Sequence, residues 1–139
     1  METKKITSFR DLVVWQESHK LVVIVYELTK KFPKEELYGL VAQIRRAAVS
    51  ITSNIAEGFS RQSIKEKVQF YSMAHGSLTE VENQLLVARD VHYIEHKDFN
   101  EIFEQVTKVH KLLNGFIKKT KERQPASFQL PTSNFYKDA

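Results

Sequence analysis

The segment QIRRAAVSITSNIAEG, Gln43 to Gly58, decides how the rest of the chain is read. Ile44, Ala47/Ala48, Ile51 and Ile55 recur at steps of three and four, so a helix turning about 100° per residue gathers them into one apolar stripe. Gln43, Arg46, Ser50, Asn54 and Glu57 recur at steps of three, four, four and three, a polar stripe beside the apolar one. On its other side Ala42, Arg45, Val49, Thr52 and Ala56 form a small-residue face with one arginine. Ser50, Thr52, Ser53 and Asn54 are mediocre helix formers, whereas a solvated face favours Glu, Lys, Gln and Arg. The polar stripe therefore predicts an organised seam, with Ser77, Glu80 and Gln84 of a later helix as its matching line. For Arg46 alone, plain solvation is the competing reading. An unpaired buried charge is costly, so Arg45 or Arg46 is expected to reach Glu57, Glu80 or another acid.

Working outward, the same alternation recurs three times. Ser8 with Asp11 resembles a capping box, and from Phe9 to about Lys31 apolar residues occupy more than one side of a helix, which requires two neighbours or another chain. Pro33 suits a first-turn position, so the second helix is expected to run from there to Gly58, with Leu37 on its core stripe. Ser63 and Glu66 frame a capping box for a third helix, whose stripe reads Tyr71, Ala74, Leu78, Val81, Leu85, Ala88. The pattern stops around HYIEHKD, residues 92–98. A fourth helix follows from about Asp98 to Lys121, with Phe99, Ile102/Phe103, Val106, Val109/His110, Leu113 and Phe116/Ile117 inward. Helices of this length on short connections predict an all-α fold, an antiparallel up-down-up-down four-helix bundle over residues 1–123. Residues 124–139, with Pro125, Pro131 and no period, read as an irregular tail in which Phe128, Phe135 and Tyr136 are available for docking.

Composition narrows the function. The 139 residues suit one domain, and the lack of cysteine removes disulfides, thiol catalysis and Cys-ligated zinc. The longest apolar run, Leu21 to Tyr26, is far below the ~20 residues of a membrane span, and no apolar leader follows the first lysines, so a cytoplasmic protein without membrane contact is expected. The net charge of +4 is uneven: residues 1–34 carry seven Lys/Arg against four acids, residues 35–95 six against eight, and residues 96–139 eight against five. The basic excess at the two ends is compatible with a polyanionic partner. Arg45, Arg46, Arg61, Lys65 and Lys67, together with Lys118, Lys119 and Lys121, lie outside the core stripes and are the candidate nucleic-acid contacts; for each taken singly, ordinary solubilising charge is the competing reading.

Two long stretches, residues 9–61 and 70–94, closely resemble the small bacterial four-helix-bundle proteins called 23S ribosomal RNA intervening-sequence proteins. The resemblance covers about residues 8 to 120 and rests on Trp15, Phe32–Pro33, Tyr38–Gly39–Leu40, Gln43–Ile44–Arg45–Arg46–Ala47, Asn54–Ile55–Ala56–Glu57–Gly58, Arg61, and Gly76–Ser77 followed by Glu80. It implies a bundle that assembles as a ring-like homo-oligomer, a pentamer, as in the related accessory proteins of diversity-generating retroelements. Those relatives are thought to bind RNA or DNA and a reverse transcriptase through basic surface, and this chain is less basic than they are. On this basis the chain is expected to be a non-enzymatic oligomeric adaptor, or a purely structural assembly protein.

Chemistry finds little foothold. His92 and His96 are four apart but straddle the end of a helix, with no carboxylate to complete a ligand set, so neither a metal site nor another cofactor is expected. Arg89, Asp90 and His96 resemble the Arg–polar–spacer–His signature of the HEPN ribonucleases, in which Arg89 and His96 would stabilise a phosphorane and move protons. No glycine-rich phosphate loop, nucleophile triad or isolated carboxylate pair is present, and no catalytic residue is assigned.

Overall fold

The computed structural model describes residues 5–123; the predicted tail, with Phe128, Phe135 and Tyr136, lies outside the described residues. Four helices are present, α1 (Val13–Thr29), α2 (Leu40–Ser60), α3 (Ile64–Asp90) and α4 (His96–Glu122), and the described residues contain no strand.

Two helix starts differ from the expectation, for local reasons. The Ser8–Asp11 capping box is complete, but it caps a single 3-10 turn, Phe9–Asp11; Leu12 is then extended, and α1 begins at Val13. Pro33 opens another 3-10 turn, Lys34–Glu36, and the chain swings outward, leaving Leu37 half exposed and Tyr38 92 % exposed. Leu37 therefore falls outside the core. The α-helix starts only at Leu40, whose N–H donates to the Glu36 carboxylate at 3.3 Å, an acid at the positive end of the helix dipole. The same carboxylate accepts the Tyr93 hydroxyl at 2.8 Å, pinning this turn to the α3–α4 connection and holding the Tyr93 phenol above its usual range.

The Ser63 cap matches expectation, its hydroxyl accepting the Glu66 N–H at 3.1 Å. Helix α3 ends in a Schellman motif: Tyr93 N–H donates to the Ala88 carbonyl and His92 N–H to that of Arg89. The position that usually holds glycine is His92, at φ 68°.

Each helix packs on its sequence neighbour, α4 closes back on α1, and the diagonal pairs do not approach. The α2–α3 contact is the most extensive, and within it Gly58 lets the Tyr71 ring lie against backbone; a Cβ there would sit 2.5 Å from a ring carbon. Leu21, Val25, Ile44, Ile51, Ile55, Leu78, Leu85, Val109 and Leu113 are fully buried, each side chain of this kind worth about 1.5–3 kcal/mol. Buried hydroxyls on the same faces return to their own helices, Ser18 to Val14 O, Thr29 to Val25 O and Thr120 to Phe116 O.

One carboxylate is buried in the α1–α4 contact. Glu17, 7 % exposed, accepts from Lys20 (3.0 Å), Lys108 (3.1 Å) and Gln105 (3.2 Å), whose amide also donates to the Glu17 carbonyl. The bonds to Lys20, Gln105 and Lys108 outweigh desolvation and hold its pKa at about 2.

Candidate functional site

Helix α2 turns its apolar stripe inward and leaves three further sides to account for. Between Ala47 and Ala56 it carries no charged side chain, although Val49, Ser50, Thr52, Ser53, Asn54 and Ala56 all reach the surface at least in part. On its α1 side, Arg45 finds no acid among the described residues. Its Nε donates to Thr29 Oγ1 at 2.9 Å, its Nη2 to the Tyr26 carbonyl at 3.4 Å, and the guanidinium lies 4.7 Å over the Tyr26 ring. The cation is thereby spent on the carbonyl end of α1 and on an aromatic face. Tyr26 continues a line on α1, Trp15, His19, Val22 and Tyr26 at steps of four, three and four, with Trp15 and His19 stacked at 4.8 Å. Tyr26 and Val49 are each 38 % exposed and Val23 49 %.

On the α3 side one hydrogen bond joins the two polar lines expected to form a seam, and among the described residues no charge pair does. Ser50 Oγ and Ser77 Oγ are 2.8 Å apart, and Asn54 donates to the Ser50 carbonyl and hydroxyl at 2.8 and 3.0 Å. Gln43, Arg46, Ala47, Ser50 and Glu80 line a shallow groove of about 210 Å³. Arg46 and Glu80 share it without an ion pair, and Glu57 bonds Arg61 on its own helix at 3.3 Å. The expected Arg–acid link across the seam is therefore absent among the described residues. Arg46 is exposed to solvent, where an arginine needs no acid partner. Gln84 is buried, donates weakly to Glu80 at 3.4 Å, and its Oε1 accepts no hydrogen bond from a described residue. Met73, Val87 and Val91 lie on the same line of α3 as Ser77, Glu80 and Gln84, and all three are exposed. Sequence reading missed these apolar flanks, whose signal was the run of uncharged positions in α2.

The eight candidate basic residues divide into two groups. Arg45 and Arg46 stand in the second turn of α2, about 24 Å along its axis from Arg61 at 1.5 Å per residue. The other six lie where α2 ends, α3 begins and α4 ends. There Lys67 and Lys119, with Lys111 and Arg123, rim a cleft of about 660 Å³ floored by Leu12, Val14, Phe59, Leu112 and Phe116. Among the described residues none of these four cations has an ion-pair partner. Lys67 caps the end of α2, donating to the carbonyls of Phe59 (2.8 Å) and Gly58 (3.3 Å); burial and then the nearby Arg123 push its pKa down. Burial raises the Tyr71 phenol to about 12, against the pull of Arg123. Arg61 lies 4.7 Å over Phe70. Lys65, Lys118 and Lys121 are exposed at the same end. Lys111 and Arg123 were outside the sequence-based selection because each looks like ordinary surface charge until the fold brings them to one rim.

The residues of the ribonuclease signature are exposed at the end of α3 and the start of α4. Arg89 bonds Asp90 at 2.8 Å and lies 4.9 Å over Phe99, while His96, the first residue of α4, contacts Asn100 at 3.2 Å. His75 and His110 meet ring to ring at 4.9 Å across α3 and α4. Among the described residues no three His, Cys, Asp or Glu side chains converge as metal ligands, and no helix is long and apolar enough to cross a membrane.

Comparison with curated proteins finds no match. Among solved structures, a protein of unknown function from the S23 ribosomal protein family of Bacteroides thetaiotaomicron is similar at 27 % identity and a TM-score of 0.71, covering 76 % of this chain and 99 % of its own. The family model for 23S rRNA-intervening sequence proteins matches residues 10–115, a span that holds all of α1, α2 and α3 and most of α4. The chain therefore belongs to the 23S rRNA-intervening sequence protein family.

Proposed function

We propose that this protein is a non-enzymatic adaptor that works as a homo-oligomer, with copies joined through the outer side of α2 and nucleic acid held at the basic end of the bundle. The observation that carries the reading is the charge-free surface of α2 from Ala47 to Ala56, flanked by exposed apolar residues on both neighbours, Val23 and Tyr26 on α1 and Met73 on α3; Val87 and Val91 lie farther along α3, toward the start of α2. Depletion of charge with apolar and small polar side chains is the composition of an interface centre, and contiguous apolar surface is unusual on a solitary soluble chain. The ring of five implied by the family resemblance is the assembly we favour. Within each copy the helices run antiparallel, up-down-up-down. The contacts Gln105–Glu17 and Lys31–Asp98 (α1–α4), Ser50–Ser77 and Lys67–Phe59 (α2–α3), and Arg45–Thr29 (α1–α2) support that order.

Opposite the acid-poor rim of Lys67, Lys111, Lys119 and Arg123, a polyanion is the complementary partner, and binding should weaken steeply with salt as counterions are released. The test is a titration of RNA and DNA across a salt series, on a preparation whose assembly mass is known. Assembly without any low-salt binding would leave a purely structural protein. RNA cleavage abolished by Arg89→Ala and His96→Ala would replace the adaptor with the ribonuclease.

A further inference from the structure

We propose that the cleft at the basic end takes an unstacked base of a single-stranded nucleic acid, with the flanking phosphates on Lys111, Lys119 and Arg123. This rests on the nucleic-acid reading above and narrows it to one class of polymer. The cleft joins two features that a duplex backbone site does not need together. Its rim carries Lys111, Lys119 and Arg123, free of ion pairs among the described residues, beside Lys67, which caps α2, and its floor is apolar and aromatic, with Phe59 and Phe116 both only partly buried. Asp11, the acid of the lining, turns its carboxylate to its own cap, accepting the N–H groups of Thr7 (3.0 Å) and Ser8 (3.1 Å).

Phosphates alone satisfy the rim and gain nothing from the floor. A purely apolar ligand fills the floor and leaves the cations unanswered. A strand of nucleotides answers both, because each base presents a flat apolar face beside its phosphate, and stacking on an aromatic ring is worth about 1–3 kcal/mol per base. At about 660 Å³ the space lies within the range of small-ligand sites, roughly 300–1,000 Å³, ample for one base with its sugar. Duplex bases are stacked and out of reach of a recessed floor, so the cleft distinguishes single strands from duplexes.

The test uses the full-length protein and three fluorescein-labelled probes: a short single strand, the same strand annealed to its complement, and the same strand with internal bases removed. The expected result is that the single strand binds roughly tenfold more tightly than either of the others, the loss expected from one missing stack. Phe116→Leu, which keeps an apolar side chain against Tyr71, should weaken the single strand and leave the abasic strand unchanged. Equal affinity for all three probes with a steep salt dependence would overturn this inference and leave the adaptor's nucleic-acid site standing as a backbone site. No binding of any probe at low salt overturns both readings. Tighter capture of an apolar monoanion such as laurate than of the strand would give the cleft to a lipid and also overturn it.

Discussion

Helices α2 and α4 bury the same kind of stripe and differ in what they turn outward. The α4 stripe, Phe99, Ile102, Val106, Val109 and Leu113, is backed by exposed Glu101, Glu104, Lys108, Lys111, Lys118 and Lys119; the α2 stripe, Ile44, Ala48, Ile51 and Ile55, is backed by Val49, Ser50, Thr52, Ser53 and Asn54. The inward stripe decides membership of the bundle, and the outward residues report what each surface meets. Water selects the α4 pattern, in which charge holds the far side in solvent. In the proposed assembly another polypeptide selects the α2 pattern, because small uncharged side chains allow close approach and leave few ions to desolvate.

If the two stripes are equivalent, truncating either should cost the same large amount. Ile51→Ala and Leu113→Ala, both at fully buried positions, are each expected to lose about 2–5 kcal/mol in chemical denaturation. A loss well under that for Ile51 alone would break the comparison at its inner side.

Outward differences are sharper to test by labelling, since the chain has no cysteine of its own. Ser53→Cys on α2 should react with a thiol reagent roughly tenfold more slowly than Glu104→Cys on α4, because an interface core excludes water. Similar rates would mean that α2 faces solvent too. At the basic end, Lys118→Gln with Lys119→Gln should lower nucleic-acid affinity several-fold and reduce the salt slope by about one per lost phosphate contact. Arg45→Gln, whose cation already serves α1, should leave that slope unchanged.

Much of this was legible before any coordinates. Steps of three and four gave four helices and nearly every core residue, because periodicity reports directly which side of a helix is dry. The helix start at Ser63 was legible because a capping serine has a local geometric role, whereas the stop expected at Gly58 was not: α2 runs on to Ser60, and Gly58, without a positive φ, serves the close approach of Tyr71 instead. The start of α2 was not legible: Pro33 fits a first helical turn and a 3-10 turn equally well, and the Glu36–Tyr93 bond that pins the swing that follows joins residues 57 positions apart in sequence. The α3 stop was legible as a lost period but not as a motif, since His92 occupies the left-handed position in place of glycine. Arg45 and Arg46 were legible as unusual, and their partners were not, because an arginine reaches carbonyls and rings as readily as acids. The basic cleft was half legible; three separated segments build it, and no spacing along the chain announces that.

Smaller effects sharpen the account of the connections. His92→Gly should stabilise the protein by up to about 1 kcal/mol, since glycine adopts φ 68° without a Cβ penalty, read as a rise in unfolding temperature. Loss of stability on that substitution would mean that the His92 side chain has a role of its own. The last effect is confined to acid pH and concerns the α1–α4 contact. The Glu17 carboxyl is held at about 2 in the folded chain against 4.5 ordinarily, so its contribution is complete above pH 4.5 and fades as the pH falls toward 2. Glu17→Gln should therefore flatten the acid limb of the stability curve in that window. Parallel acid limbs would show that Lys20 and Lys108 add nothing measurable there.

The central claim, that the charge-free side of α2 is covered by sister copies, is tested most directly by the mass in solution. Light scattering on the full chain is expected to give a fixed multiple of 16.2 kDa over a wide dilution range, collapsing to one chain on Val49→Lys while Glu104→Lys leaves it intact. A mass of 16.2 kDa for the unaltered protein at every concentration would contradict it.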